Sequence, residues 1–175
     1  MVMTQHQMDF REAAIEPRKL RHALGRFATG VTVVTTCCAD GKLEGLTVNS
    51  FSSVSLDPPL VLWSLHQDAP SLPSFLNSGR FAINVLGAHQ RAFSQHFSRP
   101  AREKFEGIEY EHGVGRCPLL PDCVANFECR TETTINGGDH VIFIGRIERA
   151  SYRDGHPLIF SAGRYFAPAV LAEVV

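Results

Sequence analysis

Val31-Thr32-Val33-Val34-Thr35-Thr36 is an unbroken run of β-branched residues, and it sets the fold class. Such side chains lose rotamer freedom in a helix and pack well on a pleated surface, so the run reads as a strand. Ala39-Asp40-Gly41-Lys42 supplies a turn, and Leu43 to Val48 returns as a second strand, making a hairpin. Upstream, Leu20, Leu24, Phe27 and Ala28 recur at spacings of three and four from Pro17, which predicts a helix ended by Gly30 in a left-handed cap. Residues 1–16 are polar and read as a flexible leader or dimer arm.

Downstream, Pro58-Pro59 breaks the chain before a strand at Leu60 to Leu65. Asp68 or Ser71 can cap a short helix running to Asn77, with Pro70 tolerated in its first turn. Phe81 to Leu86 is strand-like, and residues 88–97 place Phe93 and Phe97 on one helical face. Residues 98–122, rich in charge, Gly and Pro, read as a surface excursion. Val124 to Ile135 alternates apolar and polar, Asn136-Gly137-Gly138-Asp139 is a hairpin turn, and Val141 to Ile147 runs back. Leu158-Ile159-Phe160 and Tyr165-Phe166 are shorter pieces. Strands outnumber helices and neighbours join by tight turns. The expectation is a mostly β chain, one antiparallel domain over 17–175 closed into a barrel with a few peripheral α-helices.

The chain has 175 residues, 44% hydrophobic and 20% charged, with a net charge of -1, ordinary values for one globular domain. No basic stripe suggests nucleic acid, and no apolar stretch reaches the length of a membrane helix. The N-terminus lacks a positive segment followed by an apolar run, which speaks against a secretory signal. Five cysteines (Cys37, Cys38, Cys117, Cys123, Cys129), an odd number without a Cys-x-x-Cys pair, fit reduced thiols and a cytoplasmic setting.

The Gly-x-Gly-x-x-Gly fingerprint, the Gly-x-x-x-x-Gly-Lys-Ser/Thr loop, His-Glu-x-x-His and Gly-x-Ser-x-Gly are all absent. His112, Cys117 and Cys123 match no zinc spacing, and no metal is expected. A bound nucleotide must therefore be held by something other than a glycine-rich strand-to-helix turn. Three segments stand out. Gly45 to Ser55 passes from a strand into a run of hydroxyl and amide side chains, readable as a Ser-rich connector or as a cradle for a phosphate or heterocycle edge. Gly138-Asp139-His140 puts a histidine at a strand start, and Ser161-Ala162-Gly163-Arg164-Tyr165 is a small-residue turn with a cation and an aromatic. Taken singly, each has a purely structural reading.

Taken in order they carry more. Phe27-Ala28-Thr29-Gly30-Val31-Thr32-Val33-Val34-Thr35, Gly45-Leu46-Thr47-Val48-Asn49-Ser50-Phe51 with its Ser-Val-Ser-Leu-Asp-Pro-Pro continuation, Phe81 to Leu86, Gly138 to Gly145 and Gly163-Arg164-Tyr165 together resemble the short-chain flavin reductase family. These are the reductase components of two-component flavin monooxygenases, and the resemblance runs from about Leu20 to Phe166. It implies a Greek-key split β-barrel, a homodimer with flavin at the subunit interface, and hydride transfer from NADH or NADPH to FMN or FAD. Reduced flavin then passes to a partner monooxygenase.

By the same resemblance, Thr47, Val48, Asn49 and Ser50 line the flavin's pyrimidine edge and ribityl chain, where fixed donors stabilise the charge that reduction builds. Ser64, Leu65 and Ser71 approach the ring and phosphate, and Phe97 lies near the nucleotide. His140 sits by the nicotinamide as the catalytic position, orienting it and matching its charge, with Arg164 and Tyr165 beside the same pocket. Phe166 departs from the pattern, standing where some relatives carry His. The alternative is a flavin-binding barrel without reductase turnover, such as a sensor or storage protein. An oxidase acting on pyridoxamine phosphate would need a basic cluster that is not found here.

Overall fold

A computed structural model describes residue 11 and residues 16–101 and 103–168, so the proposed leader over 1–16 falls almost wholly outside the described residues. Helix α1 (Pro17–Leu24) precedes β1 (Thr29–Gly30), β2 (Thr32–Cys37), β3 (Leu43–Val48), β4 (Ser52–Leu56) and β5 (Pro59–His66). Helix α2 (Leu72–Ser78), β6 (Arg80–Val85) and α3 (Arg91–Phe97) follow, then the short β7 (Glu111–His112) and β8 (Pro118–Leu119). The chain ends in a long hairpin, β9 (Ala125–Gly137) and β10 (His140–Tyr152), with β11 (Ile159–Ser161) and β12 (Arg164–Phe166) after it.

Seven strands form one antiparallel sheet in the order β3-β2-β6-β9-β10-β5-β4. Its two edges, β3 and β4, are consecutive in the chain and separated only by Asn49–Phe51. Seven strands spaced about 4.8 Å apart would put the edges of a flat sheet roughly 29 Å apart, whereas four residues of extended chain span at most about 14 Å. The sheet must therefore curl until its edges meet. They meet without pairing, which makes it a split barrel. The Ser50 hydroxyl ties the linker across the split, accepting the Ser64 N–H at 2.9 Å and donating to the Ser64 carbonyl at 3.3 Å.

Strand β2 lies between two cores, which is why it is apolar or hydroxylated throughout. Val34 joins Trp63, Phe75, Phe81, Ile83 and Phe143 in the first core; Val31 and Val33 join Leu86, Phe97, Leu120 and Leu158 in the second. Trp63 is the hub of the first, stacked on Phe143 at 4.6 Å and edge-on to Phe75 at 4.9 Å. The buried threonines of β2 are satisfied: Thr32 donates to the Val48 carbonyl, Thr35 to that of Pro118 and Thr36 to that of Arg80.

Several expectations are corrected. Helix α1 stops at Leu24, where the Gly25 N–H closes on the Arg21 carbonyl at 2.9 Å, and Thr29–Gly30 instead pair with β11. Ladder hydrogen bonds captured the segment that periodicity assigned to helix. Neither Asp68 nor Ser71 caps α2 through its side chain; Ser71 takes the cap position alone, and Pro73, not Pro70, occupies the first turn. The serine-rich connector contains strand β4, which pairs with β5 across a bulge between Ser53 and Ser55. Residues 98–122 are more than a surface excursion, since Cys117 and Leu120 are buried and Phe105, Ile108 and Tyr110 pack on the second core.

Candidate cofactor cleft at the barrel split

The split opens into a cleft of about 670 Å³, within the roughly 300–1,000 Å³ typical of cofactor sites. Seven of the expected site residues line it: Thr47, Val48, Asn49 and Ser50 from β3 and its linker, Ser64 and Leu65 from β5, and His140 from β10. Leu46, His66, Ala69, Gly137 and Ile142 complete the wall. The barrel geometry brings together stretches some ninety residues apart, because β3 is an edge and β5 pairs with β10 next to the other edge.

The chemistry is divided between a polar wall and an apolar floor. Asn49 is exposed. The Thr47 hydroxyl is committed to the Ser94 carbonyl at 2.7 Å, and that of Ser50 to the Ser64 main chain. These two hydroxyls hold the wall in shape, leaving the Asn49 amide, the Ser64 hydroxyl and main-chain groups at the unpaired edge of β3 to meet a ligand. Leu65, Ala69 and Ile142 give the cleft its apolar surface.

His140 begins β10, directly opposite His66 of β5 in the ladder. Its Nδ1 lies 2.7 Å from Asp139 Oδ1, and the two imidazoles meet edge-on at 5.2 Å. The hydrogen bond from His140, reinforced by the nearby charge of His66, holds the Asp139 carboxyl below the usual carboxylate range.

The other expected residues lie elsewhere. Tyr165 lines an adjoining recess of about 180 Å³ that shares Thr47, Val48 and Asn49 with the main cleft. Its hydroxyl is 2.9 Å from Ser94 Oγ, and the Arg91 guanidinium lies 5.3 Å from its ring centre. Arg164 is exposed on β12, and Ser71 is half-buried at the head of α2; neither lines the cleft or the recess. Phe97 is fully buried in the second core, where its ring fills the space a Cβ on Gly45 would need. It braces β3 from behind, outside both the cleft and the recess.

His66 was missed. The expected strand stopped one residue short of it, and its facing of His140 becomes visible only with the β5–β10 register. Among the described residues no group of three His, Cys, Asp or Glu side chains is placed to hold a metal ion. The five cysteines are free thiols, and burial pushes Cys117 up to about 11 and Cys123 and Cys129 up to about 12.

Residues 24–169 match the family model described as "Flavin reductase like domain". The FMN reductase (NADH) SmoA of Agrobacterium fabrum is 47% identical over 148 residues, covering 85% of this chain and 84% of that protein. The reductase component of the flavin-dependent trigonelline monooxygenase of Acinetobacter baylyi is 40% identical over 158 residues, 90% of this chain but 51% of that one. The chain thus spans about half the length of this and one other curated relative that it matches. Among solved structures, the Streptomyces globisporus NADH:FAD oxidoreductase SgcE6, in complex with NAD and FAD fragments, superposes with a TM-score of 0.86 at 36% identity, covering 90% of this chain and 96% of that one. With a family model matched over most of its length and relatives this similar, the chain belongs to the flavin reductase like family.

Proposed function

We propose that the chain is an NADH-dependent flavin reductase that supplies reduced FMN or FAD to a monooxygenase partner. One observation carries this: Thr47–Ser50, Ser64–Leu65 and His140, from separate segments, converge on a single cleft of about 670 Å³. The donor set fits a flavin, with amide, hydroxyl and main-chain groups for a heteroaromatic edge and an apolar floor for its ring system. A flavin held by these residues would supply, together with a nicotinamide nucleotide, the hydride-transfer chemistry.

The chain's own residues then have three tasks. Asn49, Ser64 and the linker main chain bind and orient the heterocycle. Leu65, Ala69 and Ile142 exclude water from one side. His140, held through Nδ1 by Asp139, presents Nε2 at the rim, where it orients the second ring system. Tyr165 extends the polar surface toward the recess, and the exposed Arg164 is the cation next to it in the chain.

NADH as donor and a monooxygenase as recipient are supported by the names of similar proteins. A homodimer is supported by apolar side chains left exposed on this chain, Leu24 at 65% and Phe27 at 79% among them. A cytoplasmic setting agrees with free thiols and with the lack, among the described residues, of any helix long and apolar enough to cross a membrane.

The deciding experiment is anaerobic rapid mixing of the full chain with FMN or FAD and with NADH or NADPH, following the flavin absorbance. Bleaching that depends on the protein and is faster with NADH is the expected result. Tight flavin binding without bleaching by either nucleotide would overturn the reductase reading in favour of a binding protein.

A further inference from the structure

The rim of the cleft holds a second imidazole, His66, whose surroundings suit a particular task. Asp139 is 76% exposed, and an exposed carboxylate paired with an exposed imidazole holds a ring only weakly. Something else must steady the His140–Asp139 pair. The turn after β5 does so. The Gln67 N–H donates to the Asp139 carbonyl at 2.9 Å, and the Gln67 side-chain amide donates to the Gly138 carbonyl at 3.1 Å. His66, on the same turn, packs edge-on against His140 and brings its Nε2 to 3.7 Å from Asp139 Oδ2.

The ring of His66 is itself oriented. Its Nδ1 accepts the Asp68 N–H at 3.1 Å, so neutral His66 carries its proton on Nε2, facing the carboxylate. Asp139 thus stands between two imidazoles, with Oδ1 toward His140 and Oδ2 toward His66. His140 answers with Nδ1–H, which leaves Nε2 as the ring nitrogen not held by the carboxylate.

We infer that His66 is a positioning residue for His140, acting through Asp139: it anchors the far oxygen of the carboxylate, and the carboxylate then fixes the ring and tautomer of His140. The inference rests on the cleft being a flavin and nicotinamide site, and it gives His66 no direct part in the chemistry.

The test uses His66→Leu and His66→Gln in the full chain. Glutamine keeps an N–H donor near the position of Nε2 but cannot titrate; leucine removes the donor. Two readouts are followed: the limiting rate of flavin reduction with flavin affinity measured separately, and the imidazole ¹⁵N spectrum of His140 in the ligand-free protein. His66→Leu is expected to slow reduction by about twofold to fivefold, the upper part of the range for a lost exposed polar contact. Flavin affinity should change less than twofold, and His140 should become a mixture of tautomers. His66→Gln should restore both the rate and the single Nδ1–H form.

Asp139→Ala, on an exposed turn away from both cores, provides a second variant that leaves packing intact. It should mix the tautomers likewise, and combining it with His66→Leu should add nothing further. An unchanged His140 spectrum in His66→Leu, a glutamine variant as impaired as leucine, or additive losses in the double variant would each overturn the inference. Failure of the wild type to reduce flavin would instead sink the reductase reading, while the tautomer spectrum would still decide the part played by His66.

Discussion

At the scale of single residues, His140 and the buried thiols make opposite demands on their surroundings. His140 is partly exposed at a rim, and its proposed value lies in orientation. His140→Ala is therefore expected to slow hydride transfer on the order of tenfold to a hundredfold, the cost of losing alignment between reacting groups. Flavin affinity, which the proposal assigns mainly to Asn49 and Ser64, should change little; equal loss of both in paired stopped-flow and flavin titrations would assign the histidine to binding instead. Cys117, Cys123 and Cys129 are inert for the reason that His140 is not: burial raises their pKa to about 11, 12 and 12. The sign follows from linkage. Below the ordinary thiol pKa near 9 these groups are protonated folded or unfolded and cost nothing; as pH rises from there toward 12, only the unfolded chain can ionise them, and stability falls. Thiol titration of the native protein at pH 8 should accordingly modify Cys37 and Cys38 first, with the other three released only by denaturant. Rapid modification of all five would show that the cores open readily.

At the scale of elements, legibility followed the source of each element's stability. Strands β2 and β3 were readable to within a residue because β-branched residues and a turn tetrad encode them locally. The Asn136–Asp139 turn announced the β9–β10 hairpin in the same way. Strand β4 was hidden, since Ser52, Ser53 and Ser55 have weak strand preference and only the ladder with β5 makes them extended. The end of α1 was misplaced for a similar reason: Phe27 and Ala28 continue the helical spacing, but pairing of Thr29–Gly30 with β11 takes the backbone away. Seven of the expected residues meet at one cleft because they sit on the readable strands or the linker between them, whereas the place of His66 there needed a register. Packing in β10 gives a prediction at this scale. A Cβ on Gly145 would collide with the Phe81 ring and press on Cys129, while one on Gly30 would meet no atom within 4 Å. Gly145→Ala should cost about 1–3 kcal/mol, a loss of roughly 3–9 °C in Tm for a chain of this size. Gly30→Ala should stay within about 0.5 kcal/mol of the parent in the same melts.

At the scale of the whole molecule, the barrel buries its two cores yet leaves a set of large apolar side chains uncovered. Leu24, Phe27, Leu56 and Tyr152 are 65%, 79%, 93% and 88% exposed, and α1 buries no residue at all. An eight-residue helix gains too little from its own hydrogen bonds to persist in water. A helix with three- and four-residue apolar spacing and no buried residue of its own is explained if it packs on another copy of the chain. If that interface also closes the cleft, as the family resemblance implies, the second copy adds a wall to the one built here by β3, β5, β10 and the segments that join them. Two outcomes are expected. Sedimentation of the full chain at micromolar concentration should give twice the 19.3 kDa chain mass. Phe27→Asp should shift the sample toward monomer with an unchanged far-ultraviolet circular dichroism spectrum, because the residue lies outside both cores, and should weaken flavin binding in step with the monomer fraction. A variant that stays dimeric would move the interface away from α1. A monomer that binds flavin as tightly as the parent would show that one chain completes the cleft by itself.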